Sequence, residues 1–267
     1  MSDSLAVIPA SGKHAIEVMA FAIELDSPFA APVLEAVESC YDQDAQLKGQ
    51  LPFKETLPNI AITVNPKSQS VHMGNNGLRF SKKEEEKVTW IVDVRQNVLS
   101  VNCFDYSRWQ VARDAAAAII TPFLGVIREQ GLSMVAVGLQ YKDVFRISTT
   151  NVSQAAQLLF KERTDWLPHH ALRQETAWHV HQGWFSEASH GRQTLNLLSV
   201  DAVIENDTVC AFNIIGQHRL LSQMVGRTEQ VPLILEDVVP GWDKLHQVNK
   251  IVLHDLLSKA VAQQIGL

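Results

Sequence analysis

The sequence predicts an α+β protein of two similar halves, each an antiparallel sheet with helices packed on one face. Three observations predict it. The order strand, helix, several strands, long helix occurs twice along the chain. The two long helices are entered by similar segments, CFDYSRW (103–109) and LEDVVPGW (235–242), each with an Asp shortly before a Trp. They also end alike, in EQGL (129–132) and QQIGL (263–267). These point to an internal duplication, with a loose N-terminal tail over 1–13, a first half over 14–131 and a second over 132–267. A repeat of this length is a domain duplication rather than a solenoid.

The tail is expected because residues 1–13 are small and polar. HAIEVMAFAIELD (14–26) is dense in apolar and β-branched residues and reads as a strand. SPFAAPVLEAVESCYD reads as a helix to about Tyr41, with Ser27 as N-cap, Pro28 at the first helical position and Pro32 set to delay the start. PNIAITVN (58–65) is a strand. QSVHMG and GLRFSKK are expected to pair through a hairpin at Asn75-Asn76-Gly77, since Asn and Gly tolerate positive φ. The charges of SKKEEEK (81–87) nearly cancel, which fits a solvated hairpin end rather than a binding patch. KVTWIVDV and NVLSVNCF pair through Arg95-Gln96-Asn97. Residues 106–132 form a long helix that Pro122 should kink or split, with Thr121 capping the second segment.

In the second half, 133–148 reads as a long strand and 151–162 as a helix capped by Asn151 or Ser153. QETAWHVHQGWF, RQTLNLLSVDAVIE, DTVCAFNII and VPLILED read as strands. Residues 242–267 close the chain as a helix, with Leu245, Val248, Val252 and Leu256 at helical spacing.

Composition bounds the function. Of 267 residues, 46% are apolar and 19% charged, the balance of a soluble globular protein. A net charge of −6 argues against a general polyanion binder, so nucleic acid is not the expected partner. Cys40, Cys103 and Cys210 are widely spaced and form no Cys-x-x-Cys pair, so neither a disulfide framework nor a structural zinc site is expected. A reducing cytoplasm fits them. The N-terminus lacks the basic start and apolar core of a signal peptide, and the uncharged run Ala115–Ile127 is short for a bilayer. The expected location is therefore cytoplasmic, with no membrane partner.

No phosphate loop, dinucleotide fingerprint, His-Glu-x-x-His or Gly-x-Ser-x-Gly occurs, so no motif marks a reaction and no cofactor is predicted. The most suggestive stretch is WHVHQGWF (178–185). Strand alternation puts Trp178, Val180 and Trp184 on one face and His179 and His181 on the other. Two such histidines can share an ion, but a site needs further ligands, for which His190, His218 or Asp201 are the candidates. The favoured reading is no metal: the histidines form the wetter side of a half-buried strand, or a ligand surface. A second cluster, His218, Arg219 and Arg227 with Arg192, suits a small anion, against scattered solvent-facing bases. Tyr106, Trp109 and Trp242 read as core where helices pack on the sheet.

Gly77-Leu78-Arg79-Phe80, Tyr106-x-x-Trp109 and Gly138-Leu139-Gln140-Tyr141-Lys142-Asp143 together give the chain a resemblance to a family. It resembles a sporadically distributed prokaryotic protein family of unknown function, about 260 residues long, whose third anchor is Gly-Leu-x-Tyr-x-Asn; Asp143 replaces that Asn. The resemblance implies the fold and carries over no catalytic residue. Sporadic distribution is shared, by analogy, with defence and toxin-neutralising genes. The expected function is a non-enzymatic binding protein acting through protein–protein contact, in a prokaryotic defence or toxin–antitoxin module. A homo-oligomer is compatible with it. The alternative is an enzyme or a small-ligand or anion sensor, with its site on the His-bearing face or between the halves.

Overall fold

The computed structural model describes residues 5–65, 68–187, 192–224 and 231–267, with the backbone alone described for 59–65, 68–75 and 187. Ten strands form one antiparallel sheet. They are β1 (Val7–Pro9), β2 (Ile16–Leu25), β3 (Phe53–Asn65), β4 (Ser68–Glu84), β5 (Lys87–Arg95), β6 (Val98–Cys103), β7 (Met134–Ile147), β8 (Trp178–Glu187), β9 (Gln193–Asn206) and β10 (Val209–Leu221). Across the sheet the order is β3-β4-β5-β6-β2-β7-β10-β9-β8, with β1 on the end of β7. The expected halves therefore do not carry separate sheets. They meet where β2 and β7 hydrogen-bond side by side, with Phe21 opposite Leu139 and Met19 opposite Tyr141. The described α-helices are α1 (Ala31–Gln43), α2 (Ala45–Gln50), α3 (Trp109–Glu129), α4 (Val152–Leu159), α5 (Val238–Leu256) and α6 (Lys259–Gln264).

One face of the sheet is buried under the helices. Met19, Phe21, Ile23 and Leu25 alternate with more exposed residues along β2, and their cross-strand neighbours continue the apolar face. Phe80, Val92, Val101 and Phe21 carry it one way; Leu139, Ile214, Val200 and Phe212 carry it the other. Each large side chain removed from water contributes roughly 1.5–3 kcal/mol, so this face supplies most of the driving force for the fold. Phe123 of α3 stacks on Phe80 with ring centroids 5.4 Å apart. Trp242 of α5, fully buried, meets Phe21 edge-on at 4.9 Å. Among the described residues α3 is the one helix long and apolar enough to cross a membrane by composition. Here Ala116, Ile120, Phe123 and Leu124 are buried in the core.

Several elements differ from expectation, each for a local reason. Asn75-Asn76-Gly77 is no hairpin: β4 runs through it. The permissive residues make a bulge instead, because Leu57 pairs with Gly77 and Pro58 with Asn75, leaving Asn76 extra. The β4–β5 turn lies at Glu85 and Glu86, both at positive φ, as the solvated-end reading requires. Pro122 does not split α3; Thr121 Oγ1 donates to Ala117 O within one continuous helix. The helix after β2 starts at Ala31 with Pro32 in its first turn, so Ser27 caps nothing. VPLILED makes one bridge, Leu233 to Met134, and then a 3-10 turn at Leu235–Asp237. Val7–Pro9 of the expected tail is paired with β7.

Gly77 tests the bulge. A Cβ there would lie 2.3 Å from Val94 O, a backbone atom that cannot rotate away. Gly77→Ala is expected to lose about 1–3 kcal/mol in denaturant unfolding; an unchanged midpoint would mean that β4 and β5 are not held this close.

Candidate ligand site

His179 and His181 point the same way from β8, the edge strand, and both are exposed. Each is engaged across the strand: His179 Nδ1 with Asp201 Oδ1 at 2.9 Å, and His181 Nδ1 with Ser199 Oγ at 2.6 Å. The tryptophans of the same stretch face the helices, Trp178 near Phe160 and Phe212, Trp184 against Trp166 at 4.6 Å. His218 does not join the pair. It sits on the helix-covered side of β10, buried, whereas the pair sits on the open side. His190 and Arg227 lie outside the described residues. Among the described residues no three His, Cys, Asp or Glu side chains gather as a metal would need.

The bases proposed for an anion are dispersed. Arg192 is held by Asp237, both nitrogens at 2.9 Å, and by Pro232 O. That pairing pulls the Asp237 carboxyl below its usual range. Arg219 is paired with Glu24 on the open face. Among these described residues no common anion site exists.

A different set converges. Ile16 from the start of β2, Tyr106 and Trp109 at the entrance of α3, Tyr141 and Asp143 on β7, and His246, Asn249 and Leu253 on α5 line one cavity of about 340 Å³. It opens beside β2 and β7, where the expected halves meet. Asp143 is its distinctive group. Along β7 the odd positions Val137, Leu139, Tyr141, Phe145 and Ile147 face the core, and Asp143 occupies that same register. Its Oδ2 is buried without a hydrogen-bond partner. Desolvation pushes its carboxyl up from 3.8 to about 7, because no cation lies close enough to offset the burial. His14 is the second such group: Nε2–H donates to Tyr106 O at 2.8 Å, and Nδ1 is buried with no hydrogen-bond partner.

The far wall is a fixed aromatic assembly. The imidazole of His246 stacks on the indole of Trp109 at 4.1 Å, nearly parallel. Its Nδ1 is hydrogen-bonded to Tyr141 Oη at 2.7 Å. Burial, and next the charge of Lys250, lower His246 to about 4, so the ring is neutral at pH 7. Trp109 Nε1 donates to Asp243 Oδ1 at 2.8 Å, and Arg113 clamps the same carboxylate.

Behind the cavity a polar chain runs into the core. His218 lies between Asn196 Oδ1, 2.9 Å from Nδ1, and the Asn249 side chain, 3.1 Å from Nε2. The Asn196 amide donates to Ser186 Oγ, so its oxygen faces the ring and takes the Nδ1–H. The other ring nitrogen is then an acceptor facing Asn249 Oδ1, and it takes a hydrogen bond when the Asn249 amide is turned to present its nitrogen. Burial lowers His218 to about 4 and keeps it neutral. Gly216 makes room, since a Cβ there would stand 2.3 Å from Asn249 Oδ1.

The cavity groups were in view in the sequence under other readings. Sequence pattern alone assigns Tyr106 and Trp109 to the core and marks Asp143 as a departure from the family's anchor. The available signal was an Asp in the apolar register of a long strand. No protein-family model matches the chain, and no curated protein is detectably similar to it.

Two outcomes test this description. Raising the pKa of Asp143 favours the folded state while the group stays protonated, so its contribution is lost as pH rises from 3.8 through about 7. At about 1.4 kcal/mol per pKa unit the loss is roughly 4 kcal/mol. Asp143→Asn should therefore raise the melting temperature near pH ~8 and change little near pH ~4. His218 has the opposite sense: its stability is present above 6.5 and lost as pH falls toward about 4. It is common to both proteins and cancels in the difference; a difference that is flat with pH would refute the buried carboxyl. Secondly, Gly216→Ala should cost about 1–3 kcal/mol by displacing Asn249 from His218, read by thermal unfolding; no loss would show that the polar chain is loose.

Proposed function

We propose that this chain is a small-molecule binding protein whose ligand occupies the cavity between β2, β7, α3 and α5. One observation carries the reading: the buried carboxyl of Asp143, unpaired, lines a cavity of ligand size. Buried polar groups are normally paired, and an exception at a cavity marks a functional site. The reading keeps the sensor alternative drawn from the sequence and moves its site from the His-bearing face to the meeting of the halves. Internal duplication is supported by the matching strand orders outward from the centre, β2-β6-β5-β4 and β7-β10-β9-β8. A cavity at the join of two copies is then a place where one copy's residues complete the other's.

A fragment screen followed by amide and indole NMR shifts tests it. Hits should cluster at Ile16, Tyr106, Trp109, Tyr141, Asp143 and Leu253. Hits scattered elsewhere, with none at these residues, would sink the reading.

A protein partner on the open sheet face is the second reading. Among the described residues no helix covers this face, and Phe185, 48% exposed, lies beside Leu195 and Leu197 there. Gly183 lets Leu197 lie across β8, since a Cβ would stand 2.7 Å from its Cδ2. In this reading the partner is a cytoplasmic protein, the setting is a prokaryotic defence or toxin-neutralising module like that of the resembled family, and contact replaces catalysis. Gentle copurification of the native protein should retain a partner that Leu197→Asp releases; a native protein that emerges alone counts against it.

A further inference from the structure

We propose that the cavity takes a small primary-ammonium zwitterion of the free amino-acid class, its ammonium at Asp143 and its acidic group at the cationic rim. This rests on the reading of the cavity as a ligand site and names the ligand's chemistry.

Two buried polar atoms, Asp143 Oδ2 and His14 Nδ1, have no hydrogen-bond partner, and both residues line the same cavity. Each costs about 1–3 kcal/mol while unpaired, and more if charged. No described side chain reaches either atom, so a bound molecule can supply their partners. A hydroxyl brings one O–H; a primary ammonium brings three N–H groups and a charge for the carboxylate. Burial of that pair against Ile16, Leu253 and the aromatic wall removes water, which strengthens the attraction. An ammonium arriving at Asp143 also reverses the condition that keeps the carboxyl protonated.

The rim has the opposite sign. Lys13 and Arg108, both exposed, and Lys250, half-buried, line the cavity as well, and none has an acidic partner among the described residues. Elsewhere the cations of this protein are commonly paired: Arg192 with Asp237, Arg113 with Asp243, Arg79 with Asp93 and Lys54 with Asp42. Three unpaired cations around a mouth repel a simple amine and attract an acid. A negative floor beneath a positive rim is satisfied by a molecule carrying both charges in that order. The volume, about 340 Å³, admits such a molecule with a medium side chain.

Calorimetric titration of the full chain with two matched sets of probes decides the matter. One set is phenylalanine, phenethylamine and 3-phenylpropionate; the other is leucine, isopentylamine and 4-methylpentanoate. In at least one set the zwitterion should bind roughly tenfold more tightly than the amine, and the acid should not bind. Asp143→Asn should abolish binding of both amine-bearing probes. Arg108→Gln with Lys250→Gln, surface changes that leave the core alone, should bring the zwitterion down to the affinity of the amine. The proposal is overturned if the acid binds as well as the zwitterion, or if Asp143→Asn leaves the affinities unchanged. If no probe binds while fragments still cluster in the cavity, the ligand class falls and the cavity stands. If neither occurs, both fall.

Discussion

The pairing of β2 with β7 is the constraint on which the rest depends. These strands lie at the centre of the sheet, and their register puts Met19, Phe21 and Ile23 beside Tyr141, Leu139 and Val137 on one face. A slip of one residue would turn every one of them toward solvent. The same register decides the chemistry. Ile16 stands opposite Asp143, with a shift before Val18, so the carboxyl is delivered to the covered side, close to the start of β2. α3 follows β6, and β6 pairs with β2 on its other side, which brings Tyr106 and Trp109 to the same corner. α5, lying over β7 and β10, closes it with His246 and Asn249.

Two kinds of buried polar group share this interior, and their contrast is informative. His218 has a side-chain amide beside each ring nitrogen, and Tyr141 is hydrogen-bonded to His246. Such groups fix one arrangement of their neighbours at little net cost. Asp143 Oδ2 and His14 Nδ1 are buried as well but lack that completion. A protein carrying only the second kind would lose stability for nothing in return. The cavity beside them is walled by groups that are paired among themselves, Tyr141 with His246 and Trp109 with Asp243, which Arg113 also clamps.

The open face follows another logic. Its charges are arranged as cross-strand pairs, Glu17 with Lys142, Glu24 with Arg219 and Arg146 with Glu205. Exposed pairs of this kind are each worth about 0–1 kcal/mol. They set the register and keep the face wet more than they stabilise it. The apolar strip at Phe185, Leu195 and Leu197 departs from that pattern and is where a partner would gain most.

Much of this was legible from local pattern. The alternation in WHVHQGWF separates the histidine side from the tryptophan side, because a strand's period of two needs no knowledge of its neighbours. The apolar periods of α3, β7 and α5 are read in the same way. The hairpin assigned to Asn75-Asn76-Gly77 was not resolvable locally, since permissive residues serve a turn or a bulge equally well. His218 was grouped with Arg219, its neighbour in sequence, although strand alternation sends them to opposite faces. What the sequence by itself determined was the class of the long elements and which side chains share their faces, both consequences of short-range backbone geometry. Only the tertiary structure decided that the two stretches form one sheet, and that His14, Tyr106, Asp143 and His246 meet. Those contacts span more than two hundred residues, and they are set by strand order and register, which no local period encodes.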